Sequence, residues 1–124
     1  MDTGNLFERM REEIPGFLAA AVGDTGGGMW RSAGAAGHDL EASREGIRAM
    51  ALAWQKVYAE LGGRVDFGAH DELLATATRG YLLVQLDHGS GRFVAVHLDS
   101  DGNIGYLRFR LRAWLKELSA GGLR

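Results

Sequence analysis

The stretch that most constrains the fold runs from Asp39 to about Leu61, where two stripes lie side by side. Leu40, Ile47, Met50, Ala51, Trp54, Val57, Tyr58 and Leu61 recur at spacings of three, four and seven, which places them along one side of a 3.6-residue helix. Beside them Ala42, Gly46, Ala49 and Ala53 form a thinner stripe of small residues, along which another backbone can approach closely. Asp39 is the expected N-cap and Gly62-Gly63 the stop. A broad apolar stripe needs a flat apolar partner. One side shaped for a sheet and another for a neighbour describe a protein that works by contact.

The flanking segments supply the sheet. Asn5 and Glu8 have the spacing of a capping box, and Leu6, Phe7, Met10 and Ile14 make one face of a short helix that Pro15-Gly16 ends. Arg9 and Glu13 are expected to pair on its wet side. Phe17 to Gly23 is apolar throughout, as in a strand covered on both faces, and Met29 to Ala33 is its expected hairpin partner at an edge. The stretch Arg64 to Asp71 is polar and has no clear period. Glu72 to Thr78, Tyr81 to Asp87 and Phe93 to Asp99 then read as an antiparallel meander with short turns. Ile104, Leu107, Leu111, Trp114, Leu115 and Leu118 form the stripe of a last helix. The order α-β-β-α-β-β-β-α predicts an α/β (α+β) three-layer sandwich around a five-stranded antiparallel sheet. The long helix is expected on one face and the two terminal helices on the other.

The 124 residues suffice for one domain, with a core from about residue 5 to residue 118, and are too few for two. A net charge of -2 gives no general attraction to nucleic acid or to anionic membrane. Cysteine is absent, which removes disulfide and thiolate chemistry. No apolar run approaches the roughly 20 residues needed to cross a bilayer, and the N-terminus lacks a signal-peptide core, so the expected location is cytoplasmic.

Three stretches together resemble the roadblock family, the dynein light-chain and late-endosomal adaptor domains with bacterial gliding-motility relatives. The first is the amphipathic helix closing on Ile14-Pro15-Gly16, followed by an apolar strand and a Gly-rich hairpin. The second is the long central helix. The third is the passage from Phe93 to Leu111, with Asn103-Ile104-Gly105 opening the last helix. The resemblance implies a profilin-like roadblock architecture. It also implies self-association, with the third strand and the long helix meeting their counterparts, and a platform for a small Ras-like GTPase without an enzymatic centre of its own. Pro15, Gly16, Asn103 and Gly105 match at structural positions, and no short motif matches a GTPase-contact signature. The candidate interface is therefore Ala42, Gly46, Ala49, Leu52 and Ala53 on the helix with Leu74, Thr76 and Thr78 on the third strand.

A second patch gathers Tyr106, Phe109 and Arg112 on the last helix, with Arg108, Ala113 and Lys116 beside them. Aromatics among arginines suit a partner surface. The expectation is instead that Tyr106 and Phe109 pack on the first helix near Phe7, because both helices share a sheet face. Asp24-Thr25-Gly26, repeated as Asp2-Thr3-Gly4, matches the triplet of retroviral-type aspartic proteases, but those are almost wholly β, and such triplets also make ordinary turns. The glycine cluster is followed by a strand and has no Lys-Ser or Lys-Thr, so it is not a phosphate loop. His38, His70, His88 and His97 show no ligand spacing, and Ser43, Ser90 and Ser119 lack a nucleophile-elbow context. No catalytic residue, cofactor or metal is expected. The alternative reading is a PAS-like small-molecule sensor, which needs a cavity between helix and sheet; the alanines at 19, 20, 21, 75, 77 and 95 leave room for one unless Trp54 and Trp114 fill it.

Overall fold

The computed structural model describes residues 2–24, 28–62, 64, 72–87 and 91–121. Three helices, α1 (Thr3–Glu13), α2 (Leu40–Gly62) and α3 (Ile104–Gly121), surround five strands, β1 (Phe17–Asp24), β2 (Met29–Gly34), β3 (Glu72–Ala77), β4 (Gly80–Asp87) and β5 (Arg92–Asp99). The sheet is antiparallel throughout in the order β2-β1-β5-β4-β3, so β2 and β3 are its edges. The expected sandwich is the one observed. Residues 65–71 and 88–90 lie outside the described residues, and so do the loop glycines Gly26 and Gly27 and the histidines His70 and His88.

Alternation along the strands sorts the two cores. Ala20, Val22, Leu83, Val94, Val96 and Leu98 join Leu6, Met10, Leu107, Leu111, Trp114 and Leu118 in the layer beneath α1 and α3. Ala21, Val84, Phe93 and Ala95 join Ile47 and Trp54 beneath α2. The central strands β1 and β5 are covered on both faces, which is why they read as unbroken apolar runs. Each fully buried leucine here contributes about 1.5–3 kcal/mol relative to an exposed one. Trp54 packs in the layer of Ala21 and Ala95, and Trp114 in that of Ala20.

The start of α1 differs from the capping-box expectation. Asp2, not Asn5, is the N-cap: its carboxylate accepts from the Asn5 backbone N–H at 2.8 Å. An earlier start brings Thr3 into the buried set, where its hydroxyl accepts from Arg31 at 2.7 Å. Arg9 and Glu13 do not pair with each other. Arg9 reaches Glu117 at 3.9 Å and Glu13 receives Arg110 at 3.2 Å, so both residues tie α1 to α3. Gly16 joins two corners of the fold: its carbonyl accepts from Asp99 N–H at 2.9 Å, and its φ of +80° suits only glycine well. Asn103 caps α3 by accepting from Tyr106 N–H at 2.9 Å, and Asp39 caps α2 by accepting from Ala42 N–H at 3.2 Å.

Candidate interaction site

The exposed side of α2 and the edge strand β3 lie next to each other on one face of the molecule. Ala42, Gly46, Ala49 and Ala53 are all exposed, as the small-residue stripe requires. A Cβ built on Gly46 meets nothing within 4 Å, so the stripe faces open space there. The stripe continues into large residues. Val57 is 50% exposed and Leu61 41%, although the helical period placed both on the core side, and Leu52 is 57% exposed. Only the middle of the broad stripe, Ile47 and Trp54 with Met50, Ala51 and Tyr58 beside them, packs on the sheet. The outer face of α2 thus grades from small residues near its start to large apolar ones near its end.

Between α2 and β3 lies an open groove of about 310 Å³, lined by Ala42 and Gly46 on the helix and by Ala75, Ala77 and Leu82 on the strands. Strand parity decides which β3 residues share this face. Leu73 packs into the layer under α2, so Ala75 and Ala77 face the same way. Leu74 packs against the α1–α3 layer instead, and Thr76 has its parity. Thr78 lies beyond the strand, in the turn to β4. Of the expected interface residues, Ala42, Gly46, Ala49 and Ala53 share the exposed small-residue stripe, while Leu52 lines a separate pocket with Gly28, Met29 and Phe93. The structure puts Leu74 and Thr76 on the opposite sheet face and supplies Ala75 and Ala77 in their place. A sensor cavity enclosed between helix and sheet is not what this groove is, since it lies open beside α2.

A polar relay forms the floor of the groove. His38 Nε2 lies 2.6 Å from Ser43 Oγ, which in turn lies 2.8 Å from His97 Nδ1. The two imidazoles meet edge to face at 5.5 Å between centroids. Ser43 is buried, and burial holds the His97 pKa below its ordinary value, with His38 adding to this and Asp99 opposing it. The sequence carries a signal for this cluster. Ser43 falls on the core stripe between Leu40 and Ile47, and a hydroxyl at a buried stripe position needs a partner. His97 follows Ala95 on the α2-facing parity of β5, so it points at that hydroxyl. Among the described residues no group of three or more His, Asp or Glu could hold a metal ion.

The second patch differs from expectation. Phe109 is 70% exposed and Tyr106 38%, so neither packs on α1 near Phe7. The arginines beside them are tied inward: Arg108 and Arg112 both pair with Glu72 on β3, Arg112 at 3.2 Å, and Gln85 donates to the same carboxylate at 3.1 Å. Of the two acidic triplets, Asp2 caps α1, and Thr25 and Gly26 lie outside the described residues.

No protein-family model matches the sequence, and no curated protein matches it. Solved structures do. The chain superposes on the roadblock/LC7 domain from Streptomyces avermitilis with a TM-score of 0.79 at 15% identity, over 97% of each chain. The chain has the roadblock fold. MglC from Myxococcus xanthus gives a TM-score of 0.65 at 19% identity, over 93% of this chain and 94% of that one. The gliding protein MglB from Thermus thermophilus gives 0.63 at 20% identity, over 87% of this chain and 78% of that one. At such identities the agreement is one of backbone. The roadblock fold is set here by the two-layer helix covering of the sheet and by the Gly16 and Asn103 corners. No helix among the described residues is long and apolar enough to cross a membrane.

Proposed function

We propose that this roadblock-fold chain is a non-enzymatic platform that pairs with a second copy through α2 and β3 and, as a pair, binds a small Ras-like GTPase. The observation that carries the pairing is the coincidence of a free sheet edge with a graded apolar helix face. Among the described residues β3 has a ladder partner only in β4, and an edge of this kind is a template for another strand. A two-fold axis requires one patch to complement itself. The grading meets that requirement when the two helices run antiparallel, because the partner's Val57 and Leu61 then approach Ala42, Gly46 and the groove. Ala49 lies midway between Ala42 and Val57 and meets its own counterpart.

The GTPase part rests on the family resemblance. Such a platform acts by binding one nucleotide state of the partner better than the other, which shifts the partner's equilibrium. The proposed location is the cytoplasm, where GTPases of this class work.

Light scattering on wild type and on Ala49→Glu tests the pairing. Wild type should weigh two chains and the variant one, with unchanged circular dichroism, because two carboxylates would face each other across the axis. A wild type of one-chain mass at every concentration would remove the platform. Pull-downs with each small Ras-like GTPase of the source organism, loaded with GDP or a non-hydrolysable GTP analogue, test the second step. Equal capture of both forms by wild type and by Ala49→Glu would count against it.

A further inference from the structure

The relay at the floor of the groove has no role in shape complementarity, yet it lies where the proposed pairing would remove water. We infer that the His38–Ser43–His97 relay makes pairing of the two copies proton-sensitive, with the pair stable near neutral pH and loosened as the histidines charge. This rests on the proposed pairing through α2 and β3.

The geometry sets the sign. Ser43 offers one proton and accepts at its oxygen. With both imidazoles neutral, one ring N–H donates to Oγ and the hydroxyl donates to the other ring, in either direction. One added proton fits the same chain. A second turns both ring nitrogens into donors toward one oxygen and sets two cations side by side, with centroids 5.5 Å apart. Among the residues lining the groove none is acidic, and the Asp39 carboxylate next to His38 accepts from the Ala42 N–H. Arg79 from the β3–β4 turn lines the same groove and adds positive charge, and Tyr81 of β4 lines it as a neutral group. Among the described residues Asp99 on β5 acts on His97 in the stabilising direction, and it is outweighed by burial and His38. Arg44 on α2 is directed to Glu41 at 3.9 Å, and β1 presents the uncharged Ala19 opposite His97. In a single copy the open groove lets water solvate a charged imidazole. In a pair the groove is covered, and the charged form loses that solvation.

The linkage follows. A pair that excludes a proton each copy would bind dissociates more readily as pH falls through the free-copy histidine value, and the penalty enters squared because two copies meet. For a free-copy value no higher than the usual 6.5, exclusion of one proton per copy weakens pairing at most about a hundredfold at pH 5.5. His97 lies below that usual value, so the expected effect is smaller than this bound.

Sedimentation equilibrium of the full chain at pH 7.5, 6.5 and 5.5, at constant ionic strength, measures this. The dissociation constant should rise from pH 7.5 to 5.5, by less than about a hundredfold. In His38→Gln/His97→Gln, which keeps amide donors and acceptors at Ser43, pairing should persist at pH 7.5 and lose that dependence. Equal dissociation constants at all three pH values would overturn the inference and leave the pairing intact. Undiminished pH dependence in the double variant would overturn it too, by assigning the effect to another group. A one-chain mass at every pH would overturn both readings. A readout independent of the double variant is the NMR titration of the imidazole rings, assigned by single substitutions. His97 should titrate at lower pH in the wild-type pair than in the single-copy Ala49→Glu, and identical titrations in the two would refute the relay.

Discussion

Replacing Gly46 by alanine separates what the helix needs from what a neighbour needs. Within its own chain the new methyl meets nothing within 4 Å, and the position is exposed in the interior of α2. Alanine in place of glycine there should stabilise the single copy by about 0.5–1 kcal/mol, through the lower conformational entropy of the unfolded chain. If α2 meets α2 along the small-residue stripe, the same methyl enters a packed contact, where overfilling costs about 1–3 kcal/mol. A two-fold axis repeats the insertion, so the pair loses about 2–6 kcal/mol. At about 1.4 kcal/mol per tenfold, the dissociation constant should rise about thirtyfold or more. Urea unfolding at dilutions where the chain is a single copy gives the first quantity, and sedimentation equilibrium gives the second. Opposite signs in the two assays are the signature of a stripe used only by the partner. A more stable single copy with unchanged or tighter pairing would show that no backbone approaches Gly46, and the antiparallel register would have to be abandoned.

Five further outcomes follow from single positions. Gly16→Ala should cost about 2–4 kcal/mol in urea unfolding, since its Cβ would lie 2.6 Å from Asp99 Oδ1 and 2.8 Å from Gly102 Cα at a φ of +80°. Gly37→Ala shares the positive φ but has open space, so it should cost only about 1–2 kcal/mol, and equal losses would contradict the steric part of the argument. Glu72→Ala removes the acceptor shared by Arg108, Arg112 and Gln85; a loss of about 1–2 kcal/mol is expected, small because both guanidiniums reach water, and no loss would mean the clamp is idle. Phe109→Ser should change stability by no more than about 0.5 kcal/mol while Leu107→Ala, two residues away but buried, should cost about 2–5 kcal/mol; similar values would place Phe109 in the core after all.

The elements legible in the sequence are those whose cause is local. A 3.6-residue period showed α2 and α3, unbroken apolar runs showed β1 and β5, and Asp39 and Asn103 marked helix starts by chemistry that acts within one turn. Local rules failed where two local choices were nearly equal. Asp2 and Asn5 are both competent caps, and the difference is made by Thr3, whose buried hydroxyl accepts from Arg31, 28 residues away. Residues 73 to 78 alternate Leu, Ala, Ala against Leu, Thr, Thr, a contrast too weak to say which set faces α2. The tie is broken by Glu72, whose carboxylate meets the arginines of α3 and so assigns Leu74 and Thr76 to the α3 side. That single parity choice moves Ala75 and Ala77 under the flank of α2 and creates the groove. The relay depends on the parity of β5, whose Phe93, Ala95 and His97 face α2. Ser43 announces a need for a partner from its place on the core stripe, but His97 is 54 residues away and is supplied by the sheet, so no spacing rule finds it. The surfaces proposed here for pairing and for proton sensing are therefore products of strand register. A perturbation of the Glu72 clamp should disturb the β3 pairing edge, whose parity that clamp holds.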